Sequence, residues 1–275
     1  MNSRIATVRV TPPAVRRRLP LWLNSMLEVL ELPLLLLGIW ALSALLAPNR
    51  YFPAPWRIVE AFVKTWVGES FFVDIVPSLG RLLVGLALAI LFGVALGLLV
   101  GSLRWLRQLL EPLFEFFRAV PPPLLVPLLA ITFGIGDTAK IVVIVAGAIW
   151  PILLNTVEGV RAVDAVQRET ATSYQLSTAQ RVRFIVLPSA APQIMAGIRQ
   201  SLSVGLILMV ISEMTNSSSG LGYRITFFQQ NFMIPEMWSG IILLGLIGIA
   251  LAVLFQIAEH AVLGWYRGLK ETERA

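Results

Sequence analysis

The chain has 275 residues, of which 57% are hydrophobic and 14% are charged, with a formal net charge of +6. Soluble domains average about 45–50% apolar and about 25% charged residues, because a globule must cover its core with polar groups. The composition therefore indicates an integral membrane protein and excludes disordered, collagen-like and disulfide-bonded secreted proteins. In a membrane protein, an excess of basic residues is typical of loops that set the topology and face anionic lipid, so it does not indicate nucleic-acid binding.

Several apolar runs are long enough for membrane-spanning helices, which need roughly 20 mainly apolar residues each. They lie at 30–47, 82–101, 112–133, 139–155, 194–214 and 241–263. We therefore predict an all-α, polytopic membrane protein with about six transmembrane helices. Pro121, Pro122 and Pro123 fall inside the third run, so this span should be kinked there or begin after the prolines.

The Lys and Arg residues in the loops predict that both termini face the cytoplasm. In that orientation fourteen basic residues fall in cytoplasmic loops and tails, and four fall outside. The predicted organisation is a basic tail (1–28), a first transmembrane helix (29–50), an extracytoplasmic amphipathic segment (51–77), a membrane core (78–265) and a cytoplasmic tail (266–275).

Most catalytic chemistry is missing from the sequence. There is no cysteine and a single histidine, His260, which removes thiolate chemistry, histidine zinc clusters and His-dependent triads. No G-x-x-x-x-G-K-[ST] motif is present to hold ATP phosphates. Asp74, Asp137 and Asp164 fall outside or at the edges of the predicted spans, which disfavours proton coupling or intramembrane proteolysis. We predict that the chain is not an enzyme and binds no metal.

The segment 158–192 is a long, amphipathic connection between the fourth and fifth predicted spans. Its apolar residues recur near helical spacing with charges between them: Val160, Val163, Val166, Ala171, Tyr174 and Val182. Such a surface needs a cover, which lipid headgroups, the bundle itself or a soluble partner could supply.

Two short motifs in this segment resemble the loop signature of binding-protein-dependent ABC importer permeases, the type I transmembrane subunits. The signature is Glu-Ala-Ala, three residues, Gly, nine residues and Ile-x-Leu-Pro, and the spacing here matches it. The matching residues are Glu169-Thr170-Ala171 and Ile185-Val186-Leu187-Pro188. Thr170 departs from the signature at the first Ala, and Gln175 occupies the Gly position. If that position requires positive φ, glutamine costs on the order of 1 kcal/mol there.

Further segments resemble the nitrate, sulfonate, taurine and bicarbonate branch of these permeases. They are Phe52-Pro53-Ala54-Pro55, Pro77-Ser78-Leu79-Gly80-Arg81, Arg118-Ala119-Val120-Pro121-Pro122, Phe133-Gly134-Ile135-Gly136, Pro151-Ile152-Leu153-Leu154-Asn155-Thr156, Glu213-Met214 and Ser219-Gly220-Leu221-Gly222-Tyr223. The resemblance covers roughly residues 52–265, which is most of the chain.

The resemblance implies the fold and the partners of an importer permease in the inner membrane. A second copy of the chain would complete the pathway, two cytoplasmic subunits would bind ATP and Mg, and an extracytoplasmic protein would deliver the solute. This chain itself would hold no cofactor and would contact membrane lipid but no nucleic acid. The implied solute is a small anion of the nitrate, sulfonate or taurine type. The alternatives are another small organic molecule, such as an aromatic acid or a vitamin-like compound, a secondary carrier without an ATPase, or an intramembrane enzyme.

The resemblance also implies residue roles. The coupling helix would contain Glu169, Thr170, Ala171, Tyr174, Gln175 and Leu176, and the loop motif continues with Ile185, Leu187 and Pro188. Candidate pathway or gate residues are Arg118, Asn155, Ser203, Ser212, Glu213, Gly220 and Gly222. For the serines, packing of helix against helix is an equal alternative, and for Arg118 a structural or interfacial role is the alternative. The two glycines should shape an outer loop.

Overall fold

The computed structural model describes residues 21–215 and 217–266, and its side chains are described from residue 30 onward except that of Arg118. Residues 1–20 of the predicted basic tail therefore lie outside the described residues, and so does most of the predicted C-terminal tail, whereas residues 21–28 belong to the first helix rather than to the tail. All regular elements in the described ranges are helices, which confirms the predicted all-α class. They are α1 (Leu21–Leu46), α2 (Pro55–Trp66), α3 (Val76–Ser102), α4 (Arg104–Ala119), α5 (Leu125–Phe133), α6 (Asp137–Arg161), α7 (Ala165–Ser173), α8 (Thr178–Arg181), α9 (Leu187–Thr215), α10 (Leu221–Gln230) and α11 (Ile234–Val262).

Four helical stretches are long and apolar enough to cross a membrane. They are Phe71–Ser102, Asp137–Arg161, Thr178–Thr215 and Ile234–Val262. The pair α4 and α5 makes a fifth if it is one broken span, and the apolar part of α1, Leu30–Leu46, is shorter. By length and composition, the described residues therefore contain four or five helices that can span a membrane, whereas the sequence predicts about six.

Two of these stretches begin earlier than the apolar runs indicated. A π-helical turn, Phe71–Ile75, leads directly into α3, so this span includes residues that the sequence placed in the amphipathic segment 51–77. A second π-helical turn, Val182–Val186, joins α8 to α9. The second half of the segment 158–192 is thus the beginning of a membrane helix rather than a loop.

The chain divides into two compact units, of which the first ends at Pro55 and the second begins at Trp56. The first unit contains α1, whose leucine side chains are exposed along its described part, and Trp40 packs against Phe52 within it. The second unit contains α3 to α11 and carries the buried core.

A row of small residues brings α3 into close contact with α6. A Cβ atom at any of four glycines of α3 would lie between 2.5 and 2.9 Å from a side-chain carbon of α6. The facing pairs are Gly85 with Ile144, Gly93 with Ile152, Gly97 with Thr156, and Gly101 with Val160. The pairs advance together along both helices, so α3 and α6 run in the same direction. We call this contact the glycine seam; close approach through small residues is how helices associate in lipid.

The helix α9 packs against α3 and α6 in the opposite direction. Gly197 lies against the Pro151 carbonyl and the Asn155 side chain, and Gly205 lies against two leucines of α3. The Ser201 hydroxyl donates a hydrogen bond to the Ala148 carbonyl at 2.5 Å. The three helices α3, α6 and α9 therefore form the centre of the bundle.

The return from α3 to α6 is made by two helices with a break between them. The helix α4 ends at Ala119, a short 3-10 turn covers Pro122–Leu124, and α5 begins at Leu125, with a bend of 79° across the pair. The prolines explain the break, because they lack the N–H that an α-helix needs and clash with the preceding turn.

The predicted amphipathic segment contains α2, which lies on the bundle. It buries Ile58, Ala61 and Trp66. The Trp66 indole N–H donates to the Ser239 hydroxyl of α11 at 2.9 Å. The opposite face, with Arg57 and Lys64, is exposed, as an amphipathic helix requires.

The glycine seam predicts the effect of a bulky residue at Gly97. A Cβ atom there would lie 2.5 Å from Thr156 Cβ and 3.0 Å from the Leu153 carbonyl. Gly97→Leu should destabilise the protein by about 1–3 kcal/mol, as overpacking does in cores. The matched control is Gly245→Leu in α11, where a Cβ atom meets nothing within 4 Å. Tryptophan fluorescence during thermal unfolding in detergent measures both, and equal unfolding temperatures would contradict the seam.

Candidate functional site

Charged side chains are buried together at the end of the bundle where α3 and α6 begin. Arg81 of α3 donates from Nη1 to Glu213 Oε1 of α9 at 2.6 Å, and its Nη2 lies 2.8 Å from Asp137 Oδ1 of α6. Arg81 is 6% exposed and Glu213 is fully buried. Because removing a charge from water is costly, these two groups depend on each other.

Glu213 is held by three donors in addition to its burial. The Ser78 hydroxyl donates to its carboxylate at 2.7 Å and accepts the Leu221 N–H at 3.0 Å. The Gly222 N–H donates to Glu213 Oε2 at 3.0 Å. With the Arg81 guanidinium, these contacts satisfy the ionised carboxylate, since charge-assisted hydrogen bonds are the strong ones.

Asp74 adds a second buried carboxylate from the π-helical turn that precedes α3. It accepts the Gly220 N–H at 3.1 Å and the Arg224 Nε–H of α10 at 2.9 Å. We call Asp74, Ser78, Arg81, Asp137, Glu213, Gly220, Gly222 and Arg224 the polar cluster. It connects α3, α6, α9 and α10, so this end of the bundle is held by directional contacts.

At both predicted glycines of the polar cluster, any larger residue would clash with its neighbours. Gly220 has φ +117°, and a Cβ atom there would lie 2.5 Å from the Glu213 carboxylate carbon. A Cβ atom at Gly222 would overlap the Val210 carbonyl oxygen. The two glycines therefore let the end of the loop and the first turn of α10 approach α9 and the Glu213 carboxylate closely.

Three members of the polar cluster, Glu213, Gly220 and Gly222, are among the residues singled out from the sequence, and the others are not. Asp74 and Asp137 fall outside or at the edges of the predicted spans, so the sequence does not indicate that they pair with buried residues. Arg81 carried the available signal, because an arginine in an apolar helix requires a buried partner or water. Ser78 and Arg81 also belong to a motif that carries the resemblance.

A groove opens beside the break between α4 and α5. Its volume is about 390 Å³. Residues that line it include Phe117, Val120, Pro122, Trp150, Asn155 and Gln200. We call it the break groove. The Phe117 ring stacks on Trp150, with centroids 4.7 Å apart and planes inclined by 15°.

Two side-chain amides form one side of the break groove. Asn155 Nδ2 donates to the Pro151 carbonyl at 2.8 Å and to Gln200 Oε1 at 3.3 Å. Of the predicted pathway residues, only Asn155 lines this groove among the described side chains. Gln200, Phe117 and Trp150 were missed, because they come from three different helices and form no local motif.

The remaining predicted pathway residues lie elsewhere. Ser203 lies in a separate groove between α9 and α11, beside Arg199, which forms an ion pair with Glu259. The Ser212 hydroxyl donates to the Met209 carbonyl of its own helix at 2.8 Å. The Arg118 side chain lies outside the described residues.

At the opposite end of the bundle, α7 follows α6 after a short turn. Asp164 caps α7 by accepting the Val166 N–H at 2.6 Å. Ala171 is fully buried, whereas Tyr174 is 77% exposed at the end of the helix. Glu169 and Thr170 are also exposed. One buried alanine thus anchors a helix whose other signature residues remain accessible.

The turn after α7 explains the glycine position of the signature. The Leu176 N–H donates to the Ala171 carbonyl and the Gln175 N–H to the Thr172 carbonyl, both at 3.0 Å. These are the two hydrogen bonds of a Schellman motif, in which the residue after the C-cap, here Gln175, adopts the left-handed backbone conformation. Gln175 has φ 51°, so the structure confirms positive φ at this position.

The two halves of the signature meet in space. Val166 and Thr170 of α7 line a groove of about 410 Å³ with Ile185 and Pro188, and Trp265 completes it. Leu187 begins α9 beside them. The long spacing between the motifs therefore corresponds to a hairpin that returns the chain to the same surface.

No metal site is found in the part of the chain that the structure describes, since no three His, Asp or Glu side chains there are grouped to hold an ion. The buried carboxylates Asp74 and Glu213 are each paired with an arginine instead.

Comparisons with known proteins agree on one family. The model of the family described as "Binding-protein-dependent transport system inner membrane component" matches residues 89–264. The taurine transport system permease protein of Escherichia coli strain K12 is 30% identical over 256 residues, which cover 90% of this chain and 93% of the relative. The bicarbonate transport system permease protein of Synechococcus elongatus is 32% identical over 185 residues, 66% of each chain.

Solved structures show the same fold. A chain of the MetNI methionine ABC transporter in an inward-facing conformation superposes with a TM-score of 0.60. The match covers 76% of this chain and 97% of that chain, at 18% sequence identity.

The Schellman motif predicts how Gln175 affects α7. Gln175→Gly should stabilise the turn by on the order of 1 kcal/mol, because glycine adopts positive φ without steric cost. Gln175→Val should destabilise it, because a β-branched residue is strained there. Hydrogen exchange of the α7 amides, followed by mass spectrometry, should be slower in the glycine variant and faster in the valine variant. The reverse order would contradict the assigned turn.

The polar cluster predicts the effect of neutralising Glu213. In Glu213→Gln, the amide would bring N–H groups among the Arg81, Ser78 and Gly222 donors and leave Arg81 less compensated. The protein should lose about 3–5 kcal/mol of stability, as buried pairs do when one partner is removed. The control Glu60→Gln disrupts the exposed Lys64–Glu60 pair and should leave the unfolding temperature unchanged. Equal effects of both variants would contradict a stabilising role for the cluster.

Proposed function

The chain belongs to the family of inner membrane components of binding-protein-dependent transport systems, the permease subunits of ABC importers, and on that premise we propose that it couples to a separate ATPase through α7. It is a multi-pass inner membrane protein and a transport subunit rather than an enzyme. Membership of this family excludes the alternative of an intramembrane enzyme. No observation supports the other alternative, a secondary carrier.

The geometry of α7 carries the proposal. Ala171 is buried and fixes the helix on the bundle, while Glu169, Thr170 and Tyr174 are accessible. The Schellman turn at Gln175 and Leu176 then directs the chain back toward α9. A short exposed helix on a rigid base is what a soluble partner needs in order to transmit a movement to the membrane helices.

We infer that ATP and Mg bind to this partner and not to the present chain. The sequence contains no P-loop motif. Two ATPase subunits, one for each of two permease copies, and an extracytoplasmic solute-binding protein complete the proposed assembly.

A second copy of the chain is supported by polar side chains on the bundle surface. Arg199, Gln200 and Ser203 are exposed within the membrane-spanning helix α9. Contact between such groups and lipid tails costs free energy, so they normally face protein or a water-filled cavity. A second copy of the chain would supply both a protein surface and a cavity between the two copies.

The proposed topology places both termini and α7 in the cytoplasm. The end of the bundle that carries α7 also carries Arg104, Arg107, Arg161 and Arg168, and basic residues mark cytoplasmic loops. The polar cluster then lies on the extracytoplasmic side, where the binding protein would dock.

For the solute, we propose a small anion of the nitrate, sulfonate or taurine type, because relatives are named for taurine and bicarbonate transport. Another small organic molecule carried by the same mechanism is the second candidate, favoured by the aromatic residues of the break groove.

The coupling role of α7 predicts loss of the ATPase in two variants. Glu169→Arg and Tyr174→Ala each change an exposed group without altering buried packing, so the permease should fold while the complex with the ATPase is lost. Co-purification from membranes and solute-stimulated ATP hydrolysis measure the outcome.

The matched control is Glu69→Arg, an exposed charge reversal in the segment before α3. It should retain the ATPase. If all three variants retain the ATPase and its stimulated hydrolysis, α7 is not the coupling element.

A further inference from the structure

The two faces of α7 differ in what they contact. Residues three or four apart lie on the same face of a helix, so Gln167 and Arg168 share a face with Ala171. Ala171 is fully buried, Arg168 donates hydrogen bonds to α6, and Gln167 accepts one from α9. Glu169 lies on the other side of the helix and is exposed. One face of α7 is therefore turned toward the bundle, and the face around Glu169 is turned away from it.

Arg168 caps the C-terminal end of α6. Its Nη2 donates to the Val160 carbonyl at 3.1 Å and to the Arg161 carbonyl at 3.0 Å. These carbonyls belong to the last turn of α6, where the helix itself supplies no further N–H groups. The guanidinium also places a positive charge at the negative end of the helix dipole. The Arg161 side chain is engaged elsewhere, because it pairs with Glu158 at 2.7 Å.

The hydrogen bonds of Arg168 reach the point where the three central helices meet. Val160 is 4% exposed and lies against Gly101 of α3 in the glycine seam. It also belongs to a buried cluster with Ala190 and Ile194 of α9. A displacement of Arg168 therefore acts on the backbone of a residue that touches both of the other central helices.

Gln167 provides a second link, which reaches α9. Its Oε1 accepts a hydrogen bond from the Ser189 hydroxyl at 3.0 Å. Ser189 directly precedes Ala190, which is fully buried in the same cluster as Val160. The contact of the Ala171 methyl group is non-directional, whereas hydrogen bonds fix an orientation. The side chains of Gln167 and Arg168 therefore supply the directional attachments of α7 to the bundle.

We propose that Gln167 and Arg168 are positioning residues that transmit a movement of α7 to α6 and α9, while the opposite face of α7 binds the ATPase. Binding and transmission are then separable on a single helix of nine residues. The inference rests on the proposed coupling through α7, and it assigns the two steps of that coupling to different side chains.

A single cysteine on α9 can report on transmission without knowledge of the solute. The native chain has no cysteine, so Ser203→Cys introduces one thiol at an exposed position of α9. The complex with the ATPase is reconstituted in lipid nanodiscs. The rate of labelling by a charged methanethiosulfonate is then measured with and without Mg-ATP and vanadate. In this reference chain the nucleotide should change the labelling rate severalfold. An unchanged rate would overturn the proposed coupling and this inference with it.

Arg168→Gln in the reference chain should retain the ATPase and lose the response. The amount of co-purified ATPase should be unchanged, because Arg168 lies on the bundle-facing side of α7. The nucleotide-dependent change in labelling rate should fall at least about threefold. Arg168→Lys should restore part of it, since an ammonium group can also bond the last carbonyls of a helix. The matched control Arg181→Gln removes the same charge from an exposed position of α8 and should alter neither measurement.

Ser189→Ala tests the second link from outside α7. It removes the hydroxyl that bonds Gln167 and changes no residue of α7, so the ATPase should remain bound while the response falls. If Arg168→Gln loses the ATPase, Ser189→Ala decides: a reduced response supports transmission, and an undiminished one overturns it. An undiminished response in both variants, or an equal reduction in Arg181→Gln, would overturn the inference and leave the proposed coupling through α7 intact.

Discussion

The glycine seam between α3 and α6 is the constraint from which the rest of the bundle follows. An apolar side chain gains little free energy when it moves from lipid tails into a contact between helices. Helices in a membrane therefore associate through close packing and hydrogen bonds. Gly93 and Gly97 let Ile152 and Thr156 sit against the α3 backbone, and α9 then packs on the same pair of helices. Because α3 and α6 run in the same direction, the chain must return between them. That return is the broken pair α4 and α5, and its break creates the groove.

The two ends of the bundle differ in the way they are held together. Arg81, Glu213 and Asp74 join α3, α9 and α10 at one end through buried ionic contacts whose rupture is costly, and Arg81 also pairs with the exposed Asp137 of α6. At the other end, α7 buries Ala171 and is hydrogen-bonded to α6 and α9 through Arg168 and Gln167, while its Glu169 and Tyr174 side chains stay exposed. A rigid end and an accessible helix suit a subunit that receives motion at one end and transmits it along intact helices.

The sequence was sufficient for the class, the apolar runs and the α7 loop, because each depends on local composition or on a spaced motif. It did not give the start of α3 at the π-helical turn, since polar residues such as Asp74 look like loop residues until Arg224 is placed beside them. The break groove could not be predicted from the sequence either, because Phe117, Trp150 and Gln200 are brought together only by the packing of three helices. In membrane spans that are apolar on all sides, periodicity does not mark the inward face.

The most direct test of the account is solute uptake into vesicles that contain the purified chain, with the ATPase, the binding protein and ATP each omitted in turn. Solute should accumulate only when all of them are present, and it should not accumulate with an ATP analogue that cannot be hydrolysed. Uptake by the chain alone, without ATP, would contradict it and would identify a secondary carrier.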